Sequence, residues 1–336
     1  LMMYPTLIAF YLSVIISSLI AQWIASLAFS CTVFDSDLEV MKALRYVVYK
    51  PPTTSKSAAK FYYVDSAHST WTLAPRTISD EGVVVGATLQ EYYRRGQGFV
   101  FPLEFTVSVG HSKGVVVFDE DTGFWLIHSV PNFPRSGSYS YPPTGLKFGQ
   151  MFLCLTLPIR VLGDVGEQLR YVQATPFFSQ LPIGQLITAG GMLVKTFAKH
   201  KKFNRDLWFD LVAPGLGTNL AVESWLNGGA NDLESVCTER TSVYDVTSVM
   251  LPDISFNSSM DHSKWAVSDT SGGMNVICVG DLNRQKSQFR RGGGAVCFRH
   301  RNFWNTLHTT VKSVQPCNSK NIHSYFRTAF MDPPKP

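Results

Sequence analysis

The sequence predicts a mixed α/β fold, and three observations carry that reading. Short β-branched and aromatic runs bounded by turn residues recur along the chain, apolar positions show helical spacing in places, and the tripeptide His-Ser-Lys occurs twice, each time opening an apolar run. Leu44–Pro52 (LRYVVYKPP) and Lys60–Asp65 (KFYYVD) have the composition of strands closed off by Pro and Ser. Gly114–Asp119 (GVVVFD) and Gly123–Val130 (GFWLIHSV) flank the turn DEDTG and predict a hairpin or two adjacent strands. Met151–Pro158 (MFLCLTLP) reads as a further buried strand. Helices are predicted over Gly191–His200 and over Asn302–Val314, where Phe303, Leu307 and Val311 recur every four residues.

The 336-residue chain is long enough for one large or two ordinary domains, and 16% charged with 13% aromatic residues is a globular composition. A formal net charge of +5 excludes the heavy basicity of a chromatin protein but allows a local cationic groove for a polyanion. Residues 1–30 form an uncharged apolar stretch ending in small residues just before Cys31, which predicts a cleaved signal peptide, an exported chain and no stable membrane association afterwards. The six cysteines, Cys31, Cys154, Cys237, Cys278, Cys297 and Cys317, contain no C-x-x-C and no zinc-like His/Cys spacing. No metal or other cofactor is expected; three disulfides are, with the pairing left open. Asn257 heads the one N-x-[ST] sequon and is a candidate glycan acceptor. A boundary near residues 160–175 divides the chain into an N-terminal half (31–165) and a C-terminal half (166–318), and residues 319–336 read as a loose tail.

Composition alone predicts roughly 0.4 His-x-Lys matches by chance, yet the chain holds three: His111–Lys113, His262–Lys264 and His200–Lys202. In a strand, residues two apart share a face, so each motif offers an imidazole and a fixed positive charge to one ligand. Phosphodiester cleavage needs a nucleophile on one side of phosphorus, an acid on the leaving oxygen opposite, and cations on the non-bridging oxygens. Two facing His-x-Lys units supply all three without a metal. A lone His-x-Lys is usually a surface pair, and His200–Lys202, in the basic run KTFAKHKK, is read that way. Identical copies in matching strand contexts single out His111/Lys113 and His262/Lys264 instead. Asn283–Gly294 (NRQKSQFRRGGG) adds glycines and the candidate phosphate ligands Arg284, Arg290 and Arg291.

At these residues the sequence resembles the deoxyribonuclease II family, the acid endonucleases of animal lysosomes and secretions. The resemblance runs from Cys31 to Cys317 and rests on YVVYKPP, GHSKGVVVFDEDTGFWLIHSVPNFP, FGQMFLCLTLP, GTNL, NSSMDHSKWAVS, CVGDLNRQKSQFRRGGGAVC and VQPCN. It implies a phospholipase D-like fold of two pseudo-symmetric α/β halves, each giving one His-x-Lys to a central site. It also implies metal-independent hydrolysis of a DNA substrate to 3′-phosphate ends at acid pH, in a lysosomal or secreted enzyme for which a homodimer is admissible. By motif position, His111, Lys113, His262 and Lys264 carry over as catalytic residues, with His128 and Asn283 in support. The implied disulfides are Cys31–Cys154, Cys237–Cys317 and Cys278–Cys297. Rival readings are an RNA-cleaving enzyme and a secreted, non-catalytic DNA-binding protein on a nuclease scaffold.

Overall fold

The computed structural model describes residues 29–34, 40–53, 59–95, 100–101, 111–135, 137–173, 183–227, 231–270 and 273–317. The expected signal peptide, apart from its last two positions, and the expected tail lie outside these residues. Among the described residues no helix is long and apolar enough to cross a membrane.

Two large sheets divide the chain, beside a two-stranded one formed by Cys31–Phe34 and Val40–Ala43. The first has seven strands in the order Thr72–Leu73, Tyr62–Asp65, Arg45–Lys50, Gln150–Pro158, Thr122–His128, Gly114–Phe118 and Val100–Phe101. All of its pairings are antiparallel. The second is a ten-stranded sheet drawn entirely from the chain from Ile183 onward; its spine runs Leu193–Lys199, Gly293–Arg299, Val276–Gly280, Trp265–Ser268, Leu220–Glu223, Ser242–Leu251. One pairing in it is parallel, Leu220–Glu223 with Ser242–Leu251. The mixed α/β class is borne out, in a sheet-rich form, and the strands read in the sequence at Leu44, Lys60, Gly114, Gly123 and Met151 all form.

Side-chain alternation explains why both sheets sit inside. Val47, Tyr49, Val116, Trp125, Met151, Leu153 and Leu155 of the first sheet join Ala221, Tyr244, Trp265, Val267, Ile277, Val279 and Val296 of the second in one buried cluster. The odd-even partners go the other way: Tyr46, Val48, Val115, Val117, Phe124 and Phe152 pack beneath the helix Val84–Arg95. On the far side, Leu220, Val222, Ala266, Cys278 and Ala295 pack on Leu207, Trp208 and Leu211. The central strands of both sheets therefore bury two faces, which is why their sequences read as apolar runs. Hydrogen bonds stitch the sheets' surroundings together, from Trp71 Nε1 to Thr310 Oγ1 (2.8 Å) and from Thr306 Oγ1 to Ser69 O (2.9 Å).

Two helix expectations need correction. Gly191–His200 contains a strand, Leu193–Lys199, bonded on both sides to Ile183–Ile187 and Gly293–Arg299. Its apolar positions at 193, 194, 197 and 198 mimic a helix face because an interior strand shows no polar alternation, and the run is too short for periodicity to decide. The second helix is real but ends at Thr310; Val311–Val314 turns into a strand against Ser242–Leu251. Val311 keeps its expected burial, supplied by the sheet.

The three disulfides are Cys31–Cys154, Cys237–Cys317 and Cys278–Cys297, the pairing that the family resemblance implies. Asn257 is exposed at the end of the strand Ile254–Asn257. Arg284, read in the sequence as a phosphate ligand, is fully buried instead. Its Nε donates to Asp206 Oδ2 (2.9 Å), its Nη1 to Asp245, and its Nη2 to Glu234 O (3.2 Å), so its donors are committed inside the fold. Two carboxylates around one guanidinium hold the strand Ser242–Leu251 to the segment after Val276–Gly280. Removing the cation leaves two buried acids without their partner. Arg284→Ala is expected to lower stability by roughly 3–5 kcal/mol in urea unfolding, whereas Arg290→Ala, on an exposed side chain, is expected to stay within about 0.5 kcal/mol.

Candidate active site

The two His-Ser-Lys motifs enter the second layer of organisation from opposite sheets and are held by each other's half. His111 precedes the strand Gly114–Phe118; its backbone N–H donates to Gly292 O (2.9 Å) and its Nδ1 lies 2.5 Å from Asp281 O. His262 precedes the strand Trp265–Ser268; its N–H donates to Gly149 O (2.9 Å) and its Nδ1 lies 3.0 Å from Ser129 O. A carbonyl only accepts, so in both rings Nδ1 carries the hydrogen and Nε2 is left for a ligand. Lys264 Nζ is 3.3 Å from His262 Nδ1 but can only donate. The carbonyl of Ser129 is nearer and is the partner that fits, while Lys264 donates to His262 O. Lys113 does the same to His111 O (3.1 Å).

The middle serines are structural pivots. Ser112 Oγ donates to Asp281, whose other oxygen accepts from Gly294 N (2.8 Å). Ser263 Oγ donates to Asp261 Oδ2 (2.8 Å), Ser263 N donates to Asp261 Oδ1 (2.9 Å), and Tyr49 OH reaches the same carboxylate from the first sheet. Glycine is required where these aspartates lie: a Cβ on Gly149 would come within 2.4 Å of Asp261 Oδ1, and one on Gly293 within 2.4 Å of Asp281 Oδ1. Gly293 of RRGGG thus serves close packing on Asp281 and Gly294 close packing on Phe197 O, and the Gly294 amide is committed to Asp281.

Register explains the position of His128. Gly114 pairs with Ile127, so Lys113 stands opposite His128, and His128 N donates to Lys113 O (3.2 Å). The His128 ring is buried against Phe133 (5.3 Å) and Phe152 (5.6 Å) and makes no well-formed hydrogen bond among the described residues. It is held neutral, with a pKa lowered to about 3 by burial first and Lys113 second. Asn283 Oδ1 accepts from Trp225 N (3.3 Å), and the Trp225 ring meets the His262 ring at 5.0 Å. Arg291 is half-buried and close enough to depress the protonation of both His111 and Lys113; Arg290 is exposed. His200 caps the turn Lys201–Phe203, its Nδ1 accepting from Lys202 N (3.2 Å), and plays no part in this cluster.

Burial governs the electrostatics. It is the largest cause holding His111 well below its ordinary pKa, followed by Lys113 and Lys264. His262 is pushed down in the same way by burial, then by Lys264, Lys113 and His111. Burial lowers Lys113 to about 8 against the pull of Asp281. Lys264 falls well below its usual range through burial and Lys113, opposed by Asp261, Asp281 and Glu223. Burial also raises Asp281 to about 6 and lifts Asp261 and Glu223. These groups are therefore short of counter-charge, and an anion among them favours their protonated forms.

Sequence reasoning overlooked Asp281, Asp261, Tyr49 and Lys199. The first two lay within quoted motifs, GDLNR and MDHSK, and Tyr49 within YVVYKPP, where it read only as a strand residue. Lys199 lay in the basic run around His200. It is buried and gives its ammonium to Gln288 O (3.1 Å), Phe289 O (2.9 Å) and Arg291 O (2.9 Å), so it folds the loop that carries Arg291 and Gly292.

A two-sheet α/β scaffold that brings paired His-x-Lys motifs to one cluster has the features of a phosphoryl-directed hydrolase. The family model for Deoxyribonuclease II matches residues 45–185 and 182–317. "Cell-death-related nuclease 7" of Caenorhabditis elegans is 40% identical over 323 residues, covering 84% of this chain and 88% of the relative. "Deoxyribonuclease-2-alpha" of Rattus norvegicus is 33% identical over 322 residues, covering 81% and 91% respectively. "Plancitoxin-1" of Acanthaster planci is 31% identical over 320 residues, covering 81% and 89%. The chain belongs to the deoxyribonuclease II family and is a hydrolase of that type.

Asp281 sets a testable pH dependence. Its folded pKa is raised from 3.8 to about 6, so its contribution to stability is fully present below about pH 4 and is lost as pH rises through 6. Its share of that loss is about 3 kcal/mol. Asp281→Asn keeps an acceptor for Gly294 N and lets Ser112 Oγ accept instead of donate. In urea unfolding, wild type is expected to gain roughly 2–3 kcal/mol on the variant between pH 7 and pH 4. Lys113, Lys199 and Lys264 lose the pull of the carboxylate in the variant, so the difference reads Asp281 together with the lysines it supports.

Proposed function

We propose that the protein is an acid endonuclease that hydrolyses DNA phosphodiester bonds without a metal ion, leaving 3′-phosphate and 5′-hydroxyl ends, with His111/Lys113 and His262/Lys264 as its catalytic pairs. The supporting observation is the reciprocal anchoring of the two imidazoles, which gives both the same tautomer and leaves Nε2 of each for substrate. The relatives called "Deoxyribonuclease-2-alpha" and "Cell-death-related nuclease 7" support the substrate class. Among the described residues no three His, Cys, Asp or Glu side chains group as a metal site, and the motifs bring their own cations.

In this reading the scissile phosphate binds between the rings, with Lys113, Lys264 and Arg291 on its non-bridging oxygens. One neutral Nε2 attacks phosphorus while the other imidazolium gives its proton to O5′; a P–N bond forms and the P–O5′ bond breaks. The second ring, now neutral, takes a proton from water, and that water displaces the histidine and leaves the phosphate on the 3′ side. The step is routed through histidine, so a 2′-hydroxyl is not needed and DNA suffices. The burial and cationic surroundings that depress both histidines are offset by the phosphate, which restores one protonated ring in acid. The same reading includes a phospholipase D-like pseudo-twofold relation between the halves. It also includes export to lysosome or medium, with Asn257 as glycan acceptor.

Plasmid nicking in excess EDTA tests it directly. The expected result is full activity in chelator and fragments that accept label at their 5′ ends without phosphatase treatment; 5′-phosphate ends or a strict need for added magnesium count against it. His111→Ala and His262→Ala should each lose at least about a thousand-fold in turnover, because the two rings act as one unit. Lys113→Met or Lys264→Met should lose about a hundred-fold, while His200→Ala should stay within about twofold. One ring must be neutral and the other protonated, so the rate should follow a bell on the acid side of neutrality; Lys113, which carries its charge only below about pH 8, adds a further loss on passing that value. A rate that climbs steadily to pH 9 contradicts the mechanism.

A further inference from the structure

Beside His262 lies a feature that the hydrolytic chemistry does not use. Trp225 follows the strand Leu220–Glu223 and remains only half-buried, although its ring centroid is 5.0 Å from that of His262. Phe148, also half-buried, meets Trp225 edge-on at 5.3 Å, and the Lys147 ammonium sits 5.1 Å above the Phe148 ring. The two aromatics come from opposite halves, because Phe148 precedes Gly149, whose carbonyl holds His262 N. Trp225 is fixed at three points: its N–H by Asn283 Oδ1 (3.3 Å), its carbonyl by Gln285 Nε2 (3.0 Å), and its indole Nε1 by Ser259 O (3.0 Å). Asn283 and Gln285 also bond to each other (3.3 Å), so buried polar side chains immobilise a partly exposed indole.

We propose that Trp225 and Phe148 form a nucleobase-stacking subsite at the His262 edge of the site, taking an unstacked base of the strand being cut; the inference rests on the deoxyribonuclease reading above. Rigid aromatic faces next to a cationic cluster suit a ligand that carries negative charge and a π-face within one nucleotide of each other. The lysines and Arg291 take the backbone and the aromatic pair takes the base, whatever its identity, since every base has a π-face. A base inside a continuous stack has no free face, so occupation of this subsite draws it out of the stack. This assigns Asn283 as a positioning residue that acts through Trp225.

The test compares kcat/KM, in EDTA at acid pH, on a labelled oligothymidylate and on the same deoxyribose-phosphate backbone built from abasic tetrahydrofuran units. Wild type is expected to favour the base-bearing strand by about tenfold or more, mainly through KM. Trp225→Ala should bring that ratio close to one, and Trp225→Phe should restore most of it. If Trp225→Ala lowers both rates equally and keeps the ratio, Trp225 only steadies His262 and the subsite is wrong. A wild-type ratio near one overturns it as well. Cleavage of neither strand by wild type sinks the deoxyribonuclease reading, and the subsite with it. Should Trp225→Ala fail to fold, Phe148→Ala leaves the indole's three anchors intact, and an unchanged ratio in that variant overturns the proposal.

Discussion

Each candidate catalytic imidazole is oriented by backbone carbonyls of the half to which it does not belong. His111 depends on Asp281 O and Gly292 O, and His262 depends on Ser129 O and Gly149 O. Each bond is worth only about 1 kcal/mol net in stability, but together they decide tautomer, ring direction and the separation of the motifs. The site therefore exists only when the sheets are docked. Docking is secured by the shared cluster of Val47, Tyr49, Trp265 and Val296 and by the Tyr49 hydroxyl on Asp261. Core and site are coupled because the same two layers build both.

The second theme is charge placed in poor solvent. Burying two lysines with two histidines costs protonation, as the downward shifts of all four groups record. Asp261, Asp281 and Glu223 offset part of that cost but are themselves pushed upward by burial. An anion placed among the lysines and histidines favours their charged forms and the neutral forms of the acids, which is the balance the proposed phosphate site requires. The contrast with Arg284 is informative. There the cation meets Asp206 and Asp245 at hydrogen-bond distance, its pKa is raised on balance, and nothing is left for a ligand.

Loop construction follows from the same accounting of donors. Lys199 gives its protons to three carbonyls of the segment Gln288–Arg291, so a basic residue shapes the loop and leaves Arg291 to face His111 and Lys113. On the opposite edge, Asn283 and Gln285 hold the backbone of Trp225. The GDLNRQ segment thus supplies a carbonyl for one imidazole, a structural guanidinium, and a brace for the aromatic neighbour of the other imidazole.

The sequence by itself determined the class of fold, most of the first sheet's strands, the paired motifs and, through the family resemblance, the disulfide pairing. These are local or repetitive properties: apolar runs bounded by Pro, Gly and Ser, and a tripeptide too improbable to recur by chance. Only the tertiary structure decided what depends on neighbours distant in the chain. Leu193–Lys199 became a strand because two others flank it, and Val311–Val314 left its helix to pair with Ser242–Leu251. Arg284 and Arg291, seven positions apart in one basic loop, received opposite environments because carboxylates of Asp206 and Asp245 close over the first and not the second. Asp281, Tyr49 and Lys199 have no signature of their own, since each acts through partners more than 80 residues away. A side chain's chemistry is written in the sequence, but whether that chemistry faces a ligand or another residue is set by which strands lie beside it.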